Sequence, residues 1–164
     1  MISAEALSPE GVVAFLLAER LLEESEFIAG DIRVEEASGR NRCFRATSTG
    51  ERSYFLKQAQ PGEAGGARGI RNEAEFYSQV GADARLAALR PFLPRLHRYD
   101  PARGLLVLQL RPAHRTVYDA GESDPELGLP SIGGFLAAAL AACHSVPVSS
   151  GNGASCLAGL PQRP

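Results

Sequence analysis

Apolar and polar positions recur in two rhythms along this chain, one helical and one strand-like, and the rhythm changes several times. Ser8-Pro9-Glu10 opens the first segment, with Ser8 suited to an N-cap and Pro9 to the first helical position. Val12, Val13, Phe15, Leu16, Leu17, Leu21 and Leu22 follow as a broad apolar stripe, which predicts a helix to about Glu24. Ile32 and Val34 then alternate with Arg33 and Glu35, the period of a strand. Ala37-Ser38-Gly39-Arg40-Asn41 supplies turn chemistry. Residues 43–47 and 52–59 read as a hairpin across the turn Ser48-Thr49-Gly50-Glu51.

Residues 61–69 hold four glycines and read as a mobile loop, with a helix over 69–81 after it. Residues 86–92 predict a short helix ended by Pro94. Residues 96–99 and 104–110 predict two more strands around Asp100-Pro101-Ala102-Arg103-Gly104. Residues 112–130 are polar and irregular. Residues 133–146 form an Ala-rich helical pattern with Phe135, Leu136, Ala139, Leu140 and Cys143 on its apolar face. Periodicity stops after Pro147, and residues 148–164 are expected to be disordered.

Composition narrows the class. The chain has 164 residues, 45% hydrophobic and 22% charged, with a net charge of −2, the profile of one soluble globular unit or a piece of one. That charge leaves no electrostatic footprint for nucleic acid. No apolar run approaches the ~20 residues of a membrane span, and the first residues lack the pattern of a signal peptide. Cys43, Cys143 and Cys156 are odd in number and far apart, which suits free thiols and a cytoplasmic location better than a disulfide framework. His97, His114 and His144 stand apart from one another and from any zinc-ligand spacing.

One position changes the picture. Arginine supplies 16 of the 17 basic residues, and Lys57 is the one lysine. It sits in Ser53-Tyr54-Phe55-Leu56-Lys57-Gln58, a strand-like run. An ammonium is a compact point charge suited to a phosphate oxygen, or an amine whose pKa shifts, and a guanidinium is not equivalent to it. In an arginine-rich chain the lone lysine must still fall somewhere, so its position by itself assigns nothing.

Glu73 is the second such residue. At ~100° per residue, Phe76, Tyr77 and Val80 fall within about 60° of it on the helical wheel, while Glu75 points away. Glu73 is thus expected in the middle of the apolar stripe. Either it reaches solvent from the stripe's border or it meets a partner, because a buried carboxylate without one is costly. Lys57 lies 16 residues earlier across a Gly-rich loop. An ion pair within ~4 Å would resolve both burials.

A Gly-containing turn, a strand lysine and a helix glutamate, in that order, form the phosphate-handling layout of a kinase small lobe. Here the chain resembles the aminoglycoside phosphotransferase and choline kinase-like small-molecule kinases. Ser38-Gly39-Arg40-Asn41-Arg42-Cys43-Phe44 resembles the family's Gly-x-Asn turn, Tyr54-Phe55-Leu56-Lys57 its lysine strand, and Asn72-Glu73-Ala74-Glu75-Phe76-Tyr77 its glutamate helix. Leu93-Pro94-Arg95-Leu96 resembles the approach to the fourth strand, and Leu105-Leu106-Val107-Leu108-Gln109-Leu110 the fifth strand and hinge. Leu140-Ala141-Ala142-Cys143-His144-Ser145 resembles the Leu-His-Ser closing the first large-lobe helix, with Cys143 in place of the usual leucine. The likeness runs from about Ser8 to Pro147.

The resemblance implies an α+β fold: a five-stranded, mostly antiparallel sheet in a kinase-like small lobe over residues 1–111. Residues 112–147 would supply the hinge, a linker and the first helix of a large lobe, and 148–164 a tail. It implies ATP-dependent phosphorylation of a small-molecule hydroxyl. Lys57 would hold the α- and β-phosphates and Glu73 would orient it, with Gly39 and Asn41 in the phosphate turn. Phe55 shares a strand face with Lys57 and would either stack on adenine or pack in the core. Leu108 would back the adenine pocket, and the backbones of Gln109 and Arg111 would read the adenine edge.

The family's catalytic His-Gly-Asp loop and metal-binding aspartate have no match after His144, so Mg²⁺ is expected only in a complete protein, and the chain is expected to be a truncated or partial form, inactive alone. A nucleotide is the expected partner, with the small-molecule substrate open and no nucleic acid or membrane. The helix over 130–146 would be left under-covered, which favours self-association. Two other readings stay open. One is a non-catalytic nucleotide-binding or interaction module. The other is an α+β domain in which Lys57 and Glu73 are only a structural pair.

Overall fold

A computed structural model of the chain describes residues 6–37, 41–49, 52–60, 65–111 and 129–146. The first helix, α1 (Pro9–Ala18), begins as its sequence dictates: Ser8 accepts a hydrogen bond from the Gly11 N–H, and Pro9 takes the first turn. It does not run to Glu24. Arg20 adopts a left-handed conformation (φ 56°), and the N–H groups of Leu21 and Leu22 close back on the Leu16 carbonyl. This reversal drops Leu22 into the core, and a short second helix, α2 (Glu24–Ile28), follows.

Five strands form one antiparallel sheet in the order β1-β2-β3-β5-β4. They are β1 (Ile32–Glu36), β2 (Arg42–Ser48), β3 (Tyr54–Gln58), β4 (Leu96–Asp100) and β5 (Leu105–Gln109). Strand alternation sorts residues onto two faces. On one, Phe44, Ala46, Tyr54, Leu56, Leu105 and Val107 pack with Val12, Phe15 and Leu16 of α1. The Tyr54 hydroxyl donates to the Leu21 carbonyl at 2.6 Å, which fastens the chain after α1 to this layer. On the other face, Leu106 and Leu108 pack with Ile70 and Ala74 of a long helix, α3 (Gly66–Ala82).

The helix α3 starts three residues earlier than the Gly-rich pattern suggests, behind Gly65 at φ 92°. Of the expected mobile loop, residues 61–64 lie outside the described residues. Its C-terminus is closed by Arg90, whose guanidinium donates to the carbonyls of Val80 (2.9 Å) and Gly81 (3.1 Å). Arg90 belongs to a 3-10 helix, Ala84–Phe92, where a short helix was expected.

The last described helix, α4 (Leu129–His144), begins before the expected start and takes Pro130 into its first turn. It lies against the 3-10 helix, with the Phe135 and Phe92 rings edge to face at 5.2 Å. As expected, its apolar side is under-covered: Phe135, Leu136 and Leu140 are 56%, 54% and 60% exposed. The irregular segment 112–128 and the tail expected at 148–164 lie outside the described residues. No described helix is long and apolar enough to cross a membrane.

Candidate functional site

Lys57 occupies the centre of the sheet. It pairs across β3 with Cys43 of β2 on one side and Leu106 of β5 on the other. Its side chain leaves the face covered by α3, where its ammonium meets the Glu73 carboxylate at 2.5 Å. Both side chains are about one-quarter exposed (25% and 28%), so the pair faces solvent along one edge. The partnership expected from the two sequence positions is therefore present, and Glu75 is exposed on the far side of the helix.

The helix sits differently from the expected stripe. Ala74 is buried and Tyr77 half-buried, while Phe76 is 41% exposed. The buried line runs through Ile70, Ala74, Tyr77 and Val80, so Glu73 lies on its flank between Tyr77 and Val80, and only Phe76 lies beyond it. The small side chain of Ala74 lets the helix settle onto Leu106 and Leu108, which sets this rotation.

Phe55 lies two residues before Lys57 on the same strand face and directly opposite Leu108. It is half-buried against the Ile70–Leu108 cluster, whereas Leu108 is 4% exposed. Phe55, Lys57, Glu73 and Leu108 are thus brought to one face. Asn41 stands just ahead of β2, and its Oδ1 is buried with no hydrogen-bond partner among the described residues. An orphaned buried amide oxygen is costly, so the turn holds an unused polar contact. Gly39 lies outside the described residues. Gln109 ends β5 with its backbone N–H given to the Arg95 carbonyl at 2.8 Å, and Arg111 is exposed just beyond. Both line a recess bounded by Tyr77, Arg90 and Arg95, and Lys57 is not among its lining residues.

Two residues near the pair, Cys43 and Tyr77, were given no role in the site from sequence. Burial pushes the Cys43 thiol above its ordinary value; the Lys57 ammonium pulls it down less strongly, and the Glu73 carboxylate adds to the rise. Cys43 is thus a protonated, poorly nucleophilic thiol beside the ion pair. Burial, and secondly Glu73, push up the Tyr77 phenol. The spacing of Glu73 and Tyr77, four residues apart on a helix, is the signal that would have found the second. The first depends on strand register, which sequence alone does not reveal.

Elsewhere His97 packs edge to face on Tyr54 at 5.1 Å, with its pKa lowered by burial and by Arg95, a structural role. Cys43 and Cys143 are free thiols, and Cys156 lies outside the described residues. Among the described residues, no three His, Cys, Asp or Glu side chains gather closely enough to hold a metal ion. No protein-family model matches the chain, and no curated protein does either.

Proposed function

We propose that this chain is a nucleotide-binding lobe akin to the small lobe of aminoglycoside phosphotransferase-like kinases, related by descent to ATP-dependent phosphorylation of a small-molecule hydroxyl. The observation that carries the reading is the Lys57–Glu73 pair: the one lysine of the chain, on a central strand, held at 2.5 Å by a helix carboxylate at a solvent-facing edge. Lys57 places a point charge for the α- and β-phosphates, and Glu73 keeps it extended toward them. Phe55, half-buried on that face, offers the base an aromatic surface, and Leu108 is buried behind it. The orphaned Asn41 amide fits a polar ligand: in place it accepts from a hydroxyl or amine, and turned over it donates to a phosphate oxygen. A bound ATP would supply the transferable phosphoryl group; the residues of this chain bind and orient it.

Calorimetric titration with ATP is the direct test. The expected result is saturable binding by the 164-residue chain, without ATP-dependent phosphorylation of an aminoglycoside or choline. The second half follows from the sequence, which carries no His-Gly-Asp loop after His144 to act as base and hold Mg²⁺. Absence of ATP binding would leave Lys57 and Glu73 as a structural pair. Turnover that disappears in Lys57→Ala would reveal a catalytic carboxylate elsewhere in the chain.

A second reading, an interaction module, is favoured by α4. Its exposed Phe135, Leu136 and Leu140 sit on a helix with no Asp, Glu, Lys or Arg. A helix that is apolar all round is normally covered. Light scattering is expected to show concentration-dependent dimers or larger species, reduced by Leu136→Lys/Leu140→Glu. A monodisperse monomer at high concentration would contradict this reading.

A further inference from the structure

The recess beside the end of β5 has a chemistry of its own. It encloses about 360 Å³ between the last turns of α3 and the ends of β4 and β5. Val80, Leu93 and Leu96 give it an apolar lining. Three guanidiniums, those of Arg90, Arg95 and Arg111, line it, and among the described residues no carboxylate does. Arg90 is already committed to the carbonyls at the end of α3, whose partial negative charge offsets it. Arg95 and Arg111 are exposed and form no ion pair with another described residue. Two positive charges in one concavity, with no counter-ion among the described residues, raise the local concentration of anions. Tyr77 adds a phenol, whose hydroxyl can donate a hydrogen bond.

We infer that this recess is a second ligand site, taking an organic phosphate with a flat apolar body. The phosphate dianion matches the guanidiniums of Arg95 and Arg111 in charge, and their fork geometry suits its oxygens. The body lies on Val80, Leu93 and Leu96, which an inorganic anion leaves unused. The volume is in the range of small-ligand pockets, which begin at ~300 Å³. The charges of this recess are not those of Lys57 and Glu73, although Gln109 and Arg111, whose backbones the resemblance gives to the adenine edge, line it.

Phenyl phosphate is the probe, followed by calorimetry and by amide NMR shifts at low and high salt. Binding is expected to perturb residues 77–81 and 93–96, to weaken with salt, and to exceed that of inorganic phosphate or benzyl alcohol. Arg95→Gln/Arg111→Gln, at two exposed positions, is expected to weaken it roughly tenfold or more, with an unchanged circular dichroism spectrum. Lys57→Gln is expected to leave it unaltered. Four results would each overturn the inference: no binding by the native chain, an unaffected double variant, loss in Lys57→Gln, or equal affinity for inorganic phosphate.

Discussion

Replacing Phe44 by alanine is expected to cost about 3–5 kcal/mol of folding stability. Phe44 is fully buried in the middle of β2, between Glu36 of β1 and Leu56 of β3. Its ring belongs to the cluster that joins the sheet to Val12, Phe15 and Leu16 of α1. Removing it loses the transfer free energy of the ring and leaves a cavity. Regular strands on both sides and a helix above resist collapse into that space. Domains of this size are stable by about 5–15 kcal/mol in total, so the variant is expected near the margin of folding. Urea denaturation followed by circular dichroism should show a large fall in midpoint with little change in slope. Phe76→Ala is the control. The same change at a ring 41% exposed is expected to have a much smaller effect. Similar losses at both sites would mean that the two layers do not pack as described.

Lys57→Ala is expected to weaken ATP binding by roughly 10- to 100-fold, the loss of a charge-assisted contact to phosphate. Lys57→Arg is not expected to restore it. The planar fork is wider than an ammonium and must fit the 2.5 Å pairing with Glu73 from a position between Cys43 and Leu106. Glu73→Gln should have a smaller effect, since it removes only the group that holds Lys57 in place. Stability should move little in all three, because partly exposed ion pairs contribute about 0–1 kcal/mol. That separation is the discriminating outcome. A merely structural pair would leave nucleotide affinity unchanged in all three variants, whatever the melts show. Titrations with ATP, set beside thermal melts of the same variants, distinguish the two.

The pair itself was legible because each member is a charged residue among apolar neighbours of definite period. Lys57 interrupts Tyr54-Phe55-Leu56, and Glu73 borders the line through Ile70 and Tyr77. Two charges that each border apolar ground need a partner, and the chain brings them together. The rotation of α3 was less legible. Counting only large apolar residues placed Phe76 inside and overlooked Ala74, although a small residue permits the closest approach of helix to sheet. The end of α1 was hidden for another reason. Leu21 and Leu22 continue the helical stripe, but Tyr54, 33 residues later, takes the Leu21 carbonyl and Leu22 fills the core.

By itself the sequence determined most segments that become helix or strand, though not the break after α1 or the short α2, because hydrophobic period and capping act over a few residues. Ser8 and Pro9 start α1, and the alternation through Ile32 and Val34 makes β1. Only the tertiary structure decided what stands beside what. Strand order places β5 between β3 and β4, and register sets Lys57 opposite Cys43 and Leu106, and Phe55 opposite Leu108. The same packing gathers Arg90, Arg95 and Arg111 around one recess, although none is remarkable in the chain. Register and strand order depend on contacts between residues far apart in sequence, whose free energies no local pattern contains.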